Sequence, residues 1–173
     1  MKTYPREQCC FATGHREIDD RLRSRICRRI RSAVTELIRR GVVHFYAGGA
    51  NGFDLWFSCV ILDLKREYPQ ITLTVLLPDK DYTAHWTGEE RMCMKQILAA
   101  CDEKAIVQAN GKEPALARND ALIALGQYGI AYLKGNRLTR RGGTSYTVRH
   151  ALRANCTMLM LAREEDSDGT KNR

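Results

Sequence analysis

Three short stretches carry backbone and side chains suited to holding an anion. His44–Asp54 reads H-F-Y-A-G-G-A-N-G-F-D, with Gly48, Gly49 and Gly52 set between an apolar run, Phe45–Ala47, and an amphipathic run from Phe53 to Lys65. Glycines let a chain turn sharply and approach a ligand, because no Cβ intervenes. A helix starting at such a turn points unpaired N–H groups and the positive end of its dipole at it, an arrangement that suits phosphate. Asp54 offers a carboxylate to ribose hydroxyls; as a first-turn acid it equally complements the helix dipole. Thr13-Gly14-His15-Arg16 adds a hydroxyl, a close backbone, a titratable donor and a fixed guanidinium fork. Gly142-Gly143-Thr144 repeats the glycine cradle, with Arg140 and Arg141 just before it and Thr147 one turn in.

The elements that must position these stretches follow from hydrophobic periodicity. Strands are expected at Gln8–Ala12, Phe45–Ala47, Ile71–Leu77, Lys104–Gln108, Gly129–Leu133 and Cys156–Leu161. Ile71–Leu77 is a near-continuous β-branched and leucine run, as in a strand buried on both faces. Between the strands lie helical patterns. Leu22, Ile26, Ile30, Val34 and Leu37 make a 3.6-residue stripe that Asp19 or Asp20 can cap and Gly41 ends. Its other face carries Arg21, Arg25, Arg28, Arg29 and Arg31. The second helix stops before Pro69. Thr87-Gly-Glu-Glu90 fits a capping box for a third helix running to Ala100. Further helices are expected at Pro114–Leu125 and Thr144–Ala154.

Strands alternating with helices of this length predict an α/β fold: a parallel sheet of about six strands with helices on both faces. Such sheets bind ligands beyond the carboxyl ends of their strands, where the strand order reverses. The loops to inspect are therefore Thr13–Arg16, Gly48–Asp54, Asp79–Trp86, Asn110–Asn119 and Lys134–Thr147. One domain over residues 1–163 and a polar, frayed tail over 164–173 are expected.

Composition narrows the function classes. A hydrophobic fraction of 44% is ordinary for a globular chain. No apolar run approaches the roughly 20 residues that span a bilayer, and Met1–Gln8 has no apolar signal core. Seven cysteines without paired spacing fit reduced thiols in a cytoplasm better than a disulfide framework. The net charge of +8 makes nucleotide, nucleic acid or another polyanion a plausible partner without choosing among them. The chain lacks G-x-G-x-x-G, a G-K-[ST] phosphate loop, H-E-x-x-H and C-x-x-C, and no metal site is expected.

With these residues in hand, the chain resembles the SLOG superfamily in its YpsA-like branch. The resemblance covers Cys9 to Leu161. It rests on C-C-F-A-T-G-H-R at Cys9–Arg16, G-G-A-N-G-F-D at Gly48–Asp54 and L-K-R-E-Y-P at Leu64–Pro69. Trp86, the pair Arg118-Asn119 and G-G-T-S-Y-T at Gly142–Thr147 follow in the same order. The resemblance implies a Rossmann-like fold and a pocket for a nucleotide-derived ligand, with NAD or ADP-ribose the favoured guess. It implies that Thr13, Gly14, Gly48, Gly49, Gly142 and Gly143 approach phosphates and that Arg16 and Arg118 pair with them. Asp54 then takes ribose hydroxyls, and Trp86 or Tyr82 covers a base. The superfamily also holds phosphoribohydrolases of the LOG type, which cleave an N-glycosidic bond, and the DNA-processing protein DprA. LOG enzymes place a glutamate soon after a glycine loop; here Ser145, Tyr146, Thr147, Val148, Arg149 and His150 follow, with no carboxylate. The run Arg137, Arg140, Arg141 is more basic than the branch leads one to expect.

Three readings follow, in order. The first is a module that binds or senses a nucleotide-derived ligand. The second is hydrolysis of such a ligand's N-glycosidic bond, with Asp54 and His15 as catalytic candidates. The third is nucleic-acid binding on the basic face from Arg21 to Arg31. Related folds pair as homo-oligomers, and no seam is legible in this sequence.

Overall fold

The strand and helix patterns close on one another as a computed structural model describing residues 2–136, 138–139 and 141–166. Strands are β1 (Cys9–Gly14), β2 (His44–Ala47), β3 (Thr72–Leu77), β4 (Glu103–Ile106), β5 (Tyr128–Tyr132) and β6 (Thr157–Met160). Helices are α1 (Arg23–Arg39), α2 (Phe53–Leu64), α3 (Gly88–Ala100), α4 (Pro114–Leu125) and α5 (Gly143–Arg153). The six strands form one all-parallel sheet in the order β4-β3-β2-β1-β5-β6. This is the Rossmann-like α/β arrangement expected from the alternation.

Handedness places the helices. The chain steps outward from β1 to β4, then returns to the far side of β1 for β5 and β6. Right-handed crossovers put helices of opposite step direction on opposite faces. Accordingly α1, α2 and α3 share one face and α4 and α5 the other. Side chains obey the period of two: Cys10, Ala12, Phe45 and Ala47 join the core under α1–α3, while Cys9, Phe11 and Tyr46 join that under α4 and α5.

The central helix is α2. Phe53, Leu55, Trp56, Phe57, Ile61 and Leu64 are all buried on it, and so are Asp54 and Ser58. An apolar run this continuous has no solvent face to spare, because α1 and α3 flank it and the sheet lies beneath.

Local signals explain most boundaries. Thr87 caps α3 through a complete capping box: its hydroxyl accepts from Glu90 N at 3.3 Å, and Glu90 Oε2 accepts from Thr87 N at 2.8 Å. Asp19 caps a short 3-10 turn, Asp20–Leu22, and α1 begins only at Arg23. The stripe from Leu22 is thus continuous in burial while the hydrogen bonding tightens over its first turn. α1 ends before Gly41, at φ +92°. β1 runs on to Gly14, further than its apolar residues, because Ala131 and Tyr132 of β5 continue to pair with it.

Beyond β6, Glu164–Asp166 form a 3-10 turn docked on α1. Residues 167–173 of the expected tail lie outside the described residues. Arg29 Nη1 donates to Asp166 Oδ2 at 2.7 Å and Arg29 Nη2 to Glu165 Oε1 at 2.6 Å. The Asp166 side chain is fully buried and that of Arg29 nearly so. Burial alone would push the Asp166 carboxyl up. Hydrogen bonds from Arg29 and the Arg163 N–H, with the charges of Arg29 and Arg25, outweigh it and hold the group below its ordinary value.

A depressed carboxylate stabilises the fold fully above its unfolded value and loses that contribution as pH falls through the folded one. Asp166→Asn is therefore expected to cost about 3 kcal/mol at neutral pH, as when a buried pair loses one partner. The gap between wild type and variant should narrow as pH falls below about 4, where Asp166 of the unfolded chain protonates, and close once the folded carboxylate, held lower, protonates too. Urea denaturation of both proteins at neutral and acid pH measures this, and a pH-independent gap would contradict it.

Candidate functional site

At the carboxyl end of the sheet, the loops after β1 and β5 diverge where the strand order reverses. A cleft of about 490 Å³ opens there. β1 supplies Thr13, Gly14, His15 and Arg16; the turn before α2 supplies Ala50 and Asp54. α4 supplies Glu113, Arg118 and Asn119, and α5 supplies Gly142, Gly143, Thr144, Tyr146 and Arg149. Four of the five loops singled out from sequence thus meet in one place.

Three helix starts face this edge, and they differ in how their N–H groups are satisfied. At α2 the turn is closed from within. Phe53 N donates to His15 O at 3.1 Å and Gly52 N to Asn51 Oδ1 at 2.7 Å. Asp54 Oδ2 accepts from Gly48 N at 3.1 Å and from Ala50 N at 3.3 Å. At α4, Glu113 caps its own helix, accepting from Ala115 N at 3.0 Å and Leu116 N at 2.9 Å. At α5 the N-cap is Gly142, at φ +102°, with no side-chain cap. A Cβ at Gly142 would meet nothing within 4 Å. The first-turn N–H groups of α5 thus border the cleft without a side-chain cap from its own N-cap residue.

The glycines of the α2 turn serve packing. A Cβ on Gly48 would lie 2.2 Å from Arg118 Nη1 and 2.8 Å from Asp54 Oδ2, so the missing side chain makes room for those two groups. Gly52, at φ +71°, has Arg16 O and His15 O where a Cβ would stand. Gly49 lies against Leu77 and Met94. None of Gly48, Gly49 and Gly52 lines the cleft, in contrast to Gly142 and Gly143.

Arg118 is the buried cation of the site, with only 4% of its surface exposed. Its Nε donates to Asn119 Oδ1 at 2.9 Å. Its Nη1 is buried with no hydrogen-bond partner among the described residues. Burial pulls the guanidinium below its ordinary value, with Asp54 opposing the shift. Burial likewise pushes the Asp54 carboxyl up, against the charge of Arg118 and the two loop N–H groups. The two groups are electrostatic partners flanking the Cα of Gly48.

Other expected residues fall as follows. Burial, then the charge of Lys134, lowers His15, so its imidazole is neutral near pH 7 and both donates and accepts. Thr13 and Thr144 are buried at the cleft wall. The Thr147 hydroxyl turns back to Gly143 O at 2.9 Å, inside its own helix. Trp86 and Tyr82 stand outside the cleft, packed edge to face with centroids 5.5 Å apart against the α1–α3 core. Arg137 and Arg140 lie outside the described residues.

Sequence reasoning passed over Glu113, Tyr146 and Arg149. Glu113-Pro114 carries the signal of a helix start, an acceptor followed by proline at the first position. Tyr146 and Arg149 lie one and two turns into α5, on the side that faces the cleft. The Tyr146 ring is fixed by stacking on His150, with centroids 4.0 Å apart, and by its hydroxyl to Asp120 Oδ1 at 2.8 Å.

The basic face expected on and before α1 is largely paired. Arg21 meets Asp19, Arg25 and Arg29 meet Glu165, and Arg31 meets Asp63 and Glu67. Arg28 borders a shallow hollow with Arg25 and Arg163. Among the described residues no group of three His, Cys, Asp or Glu side chains forms a metal site. No helix among them is long and apolar enough to cross a membrane.

Comparison with known proteins bears on the family and the fold. The UPF0398 protein of Halalkalibacterium halodurans is 32% identical over 92 residues, 53% of this chain and 46% of that protein. The UPF0398 protein of Listeria innocua is 31% identical over 78 residues, 45% of this chain and 42% of that protein. The chain spans under half the length of these relatives. A solved structure of DNA processing protein A from Helicobacter pylori, described for its single-stranded DNA binding mode, superposes with a TM-score of 0.55 at 18% identity. The match covers 91% of this chain and 68% of that one. At that identity the likeness is one of fold. The model of the YpsA family, described as the YspA SLOG family, matches residues 10–131. With that match spanning β1 to β5 and most of the cleft, this chain belongs to the YpsA SLOG family.

Proposed function

We propose that the cleft binds a phosphate-bearing, ribose-containing small molecule of the NAD or ADP-ribose class. The observation that carries this is Arg118, a buried guanidinium at the cleft wall whose Nη1 has no hydrogen-bond partner among the described residues, in a cleft that the start of α5 also lines with Gly142 and Gly143 and no side-chain cap. An unpaired buried donor is costly, and native structures retain one where a ligand or function accounts for it. The volume falls within the range of small-molecule sites, about 300–1,000 Å³. In this reading the phosphate sits at the start of α5, at Gly142, Gly143 and Thr144, with Arg16 and Arg118 supplying positive charge. Asp54, Asn119 and neutral His15 meet ribose hydroxyls. Tyr146, held by Asp120 and His150, takes the place first given to Trp86 as a wall for the base.

Asp54 supports a second reading, cleavage of the ligand's N-glycosidic bond. It is buried beside the cleft, and burial raises its carboxyl, as in sites that move protons. Its Oδ2 is committed to two loop N–H groups, which favours an anchoring role, so binding without turnover ranks first. DNA binding ranks third, since Arg21, Arg25, Arg29 and Arg31, four of the arginines that suggested it, are engaged with carboxylates.

ADP-ribose or NAD at 100 times its Kd should stabilise the protein by about 2.7 kcal/mol, visible as a thermal shift. No shift with these or with nucleoside phosphates at millimolar concentration would end this reading. Arg118→Met should weaken binding about 10- to 100-fold, the loss of a hydrogen bond to a charged group. Gly143→Ala separates ligand contact from folding. Its methyl would stand 3.7 Å from Asn119 Nδ2, an ordinary contact, so the melting temperature should hold while affinity falls. Retained affinity in both variants would move the ligand elsewhere. Wild-type protein should release no free base from NAD; release that vanishes in Asp54→Asn would put hydrolysis first.

A further inference from the structure

Away from the cleft, two thiols on neighbouring helices touch. Cys59 Sγ on α2 and Cys93 Sγ on α3 are 3.8 Å apart. The helices that carry them are already joined near their starts: Asn51 Nδ2, in the turn that opens α2, donates to Glu90 Oε1 on α3 at 2.5 Å. A disulfide requires a sulfur separation of about 2.0 Å, so bridging asks the two sulfurs to close a gap of under about 2 Å.

The two thiols differ in environment. Cys93 lines a second hollow of about 450 Å³, which it shares with Arg23, Trp56 and Glu90. Cys59 does not reach that hollow, and burial, with Cys93 beside it, pushes its thiol up to about 12. Both thiols are partly exposed; Cys93 also borders the hollow, which makes it the first sulfur for a reagent held there. Among the described residues no third ligand completes a metal site here, so the pair stands as a dithiol.

We propose that Cys59 and Cys93 form an oxidation site, which a hydroperoxide converts into a disulfide linking α2 to α3. The Cys93 sulfur attacks the peroxide O–O bond and gives up its proton; an alcohol or water leaves, and Cys93 becomes a sulfenic acid. The Cys59 sulfur then displaces hydroxide from Cys93. The Cys59 proton leaves with that hydroxide as water, and the S–S bond forms. Two thiols and one hydroperoxide yield one disulfide, one alcohol and one water. The sulfurs lose two electrons and the peroxide gains them.

The test treats the full chain with hydrogen peroxide, blocks free thiols with N-ethylmaleimide in denaturant and maps the peptides without reduction. The expected product is a Cys59–Cys93 linked peptide, two hydrogens lighter than its separate parts and lost on reduction. In Cys59→Ser the sulfenic acid on Cys93 should persist and be trapped by dimedone, which labels little in wild type. A dominant link from Cys59 to Cys27, the nearby thiol of α1, would overturn the assignment. So would oxidation of Cys93 to sulfinic acid in wild type with no linked peptide. Mapping the wild-type protein decides the matter even if the variant fails to fold.

Discussion

The structure turns on a buried pair of opposite charges that share the space left by one missing side chain. Arg118 and Asp54 come from opposite faces of the sheet, on α4 and α2, and meet over Gly48. A charge taken out of water is costly unless a partner or several hydrogen bonds compensate it. Asp54 has two loop N–H groups and Arg118 has Asn119, and each feels the other's charge. Fixing these groups fixes the turn before α2, and that turn in turn holds the backbone of His15 and Arg16 through Phe53 N. Three of the segments that form the cleft are thus coupled to one electrostatic contact.

The same edge shows how a protein directs a general property of helices. Every helix start offers unpaired N–H groups, and this sheet brings several to one crevice. Two are quenched, α2 by neighbouring backbone and Asp54, α4 by Glu113. α5 has no side-chain cap from its N-cap residue, Gly142. The distinction rests on ordinary hydrogen-bond accounting, and it is why the proposed phosphate position lies at α5 and not at the most glycine-rich stretch of the chain. It also explains why Gly49 and Gly52 are glycines in a turn that faces inward: their missing Cβ atoms admit Leu77 and the Arg16 carbonyl.

Net charge proves a poor guide to the interacting surface. The chain carries +8 overall, yet the arginines gathered around α1 are matched by carboxylates from α2 and the C-terminal turn. One of those pairs, Arg29 with Asp166, closes over β6 and makes Glu164–Asp166 part of the folded body. Arginines that line the cleft are found instead at Arg16, Arg118 and Arg149.

The sequence by itself determined the α/β class, the alternation, the faces of the strands and the places where loops follow strands, because these depend on periodicity and local turn chemistry. Thr13–Arg16, Arg118-Asn119 and Gly142–Thr144 line the cleft where the pattern put loops after strands: they lie at strand ends or along helices that it located. Only the folded packing separates the glycines that line the cleft from those that face the core, since Gly48 and Gly143 have identical chemistry and differ only in what packs against them. It decided that the Trp86 ring packs on the core and the Thr147 hydroxyl folds back on its helix. It also brought Tyr146 to the cleft, because α5 meets α4 on a face chosen by the hand of the crossovers. Contacts between residues far apart in the chain leave no spacing to read, and the pairing of Arg118 with Asp54, like that of Arg29 with Asp166, exists only once the sheet has set their distance.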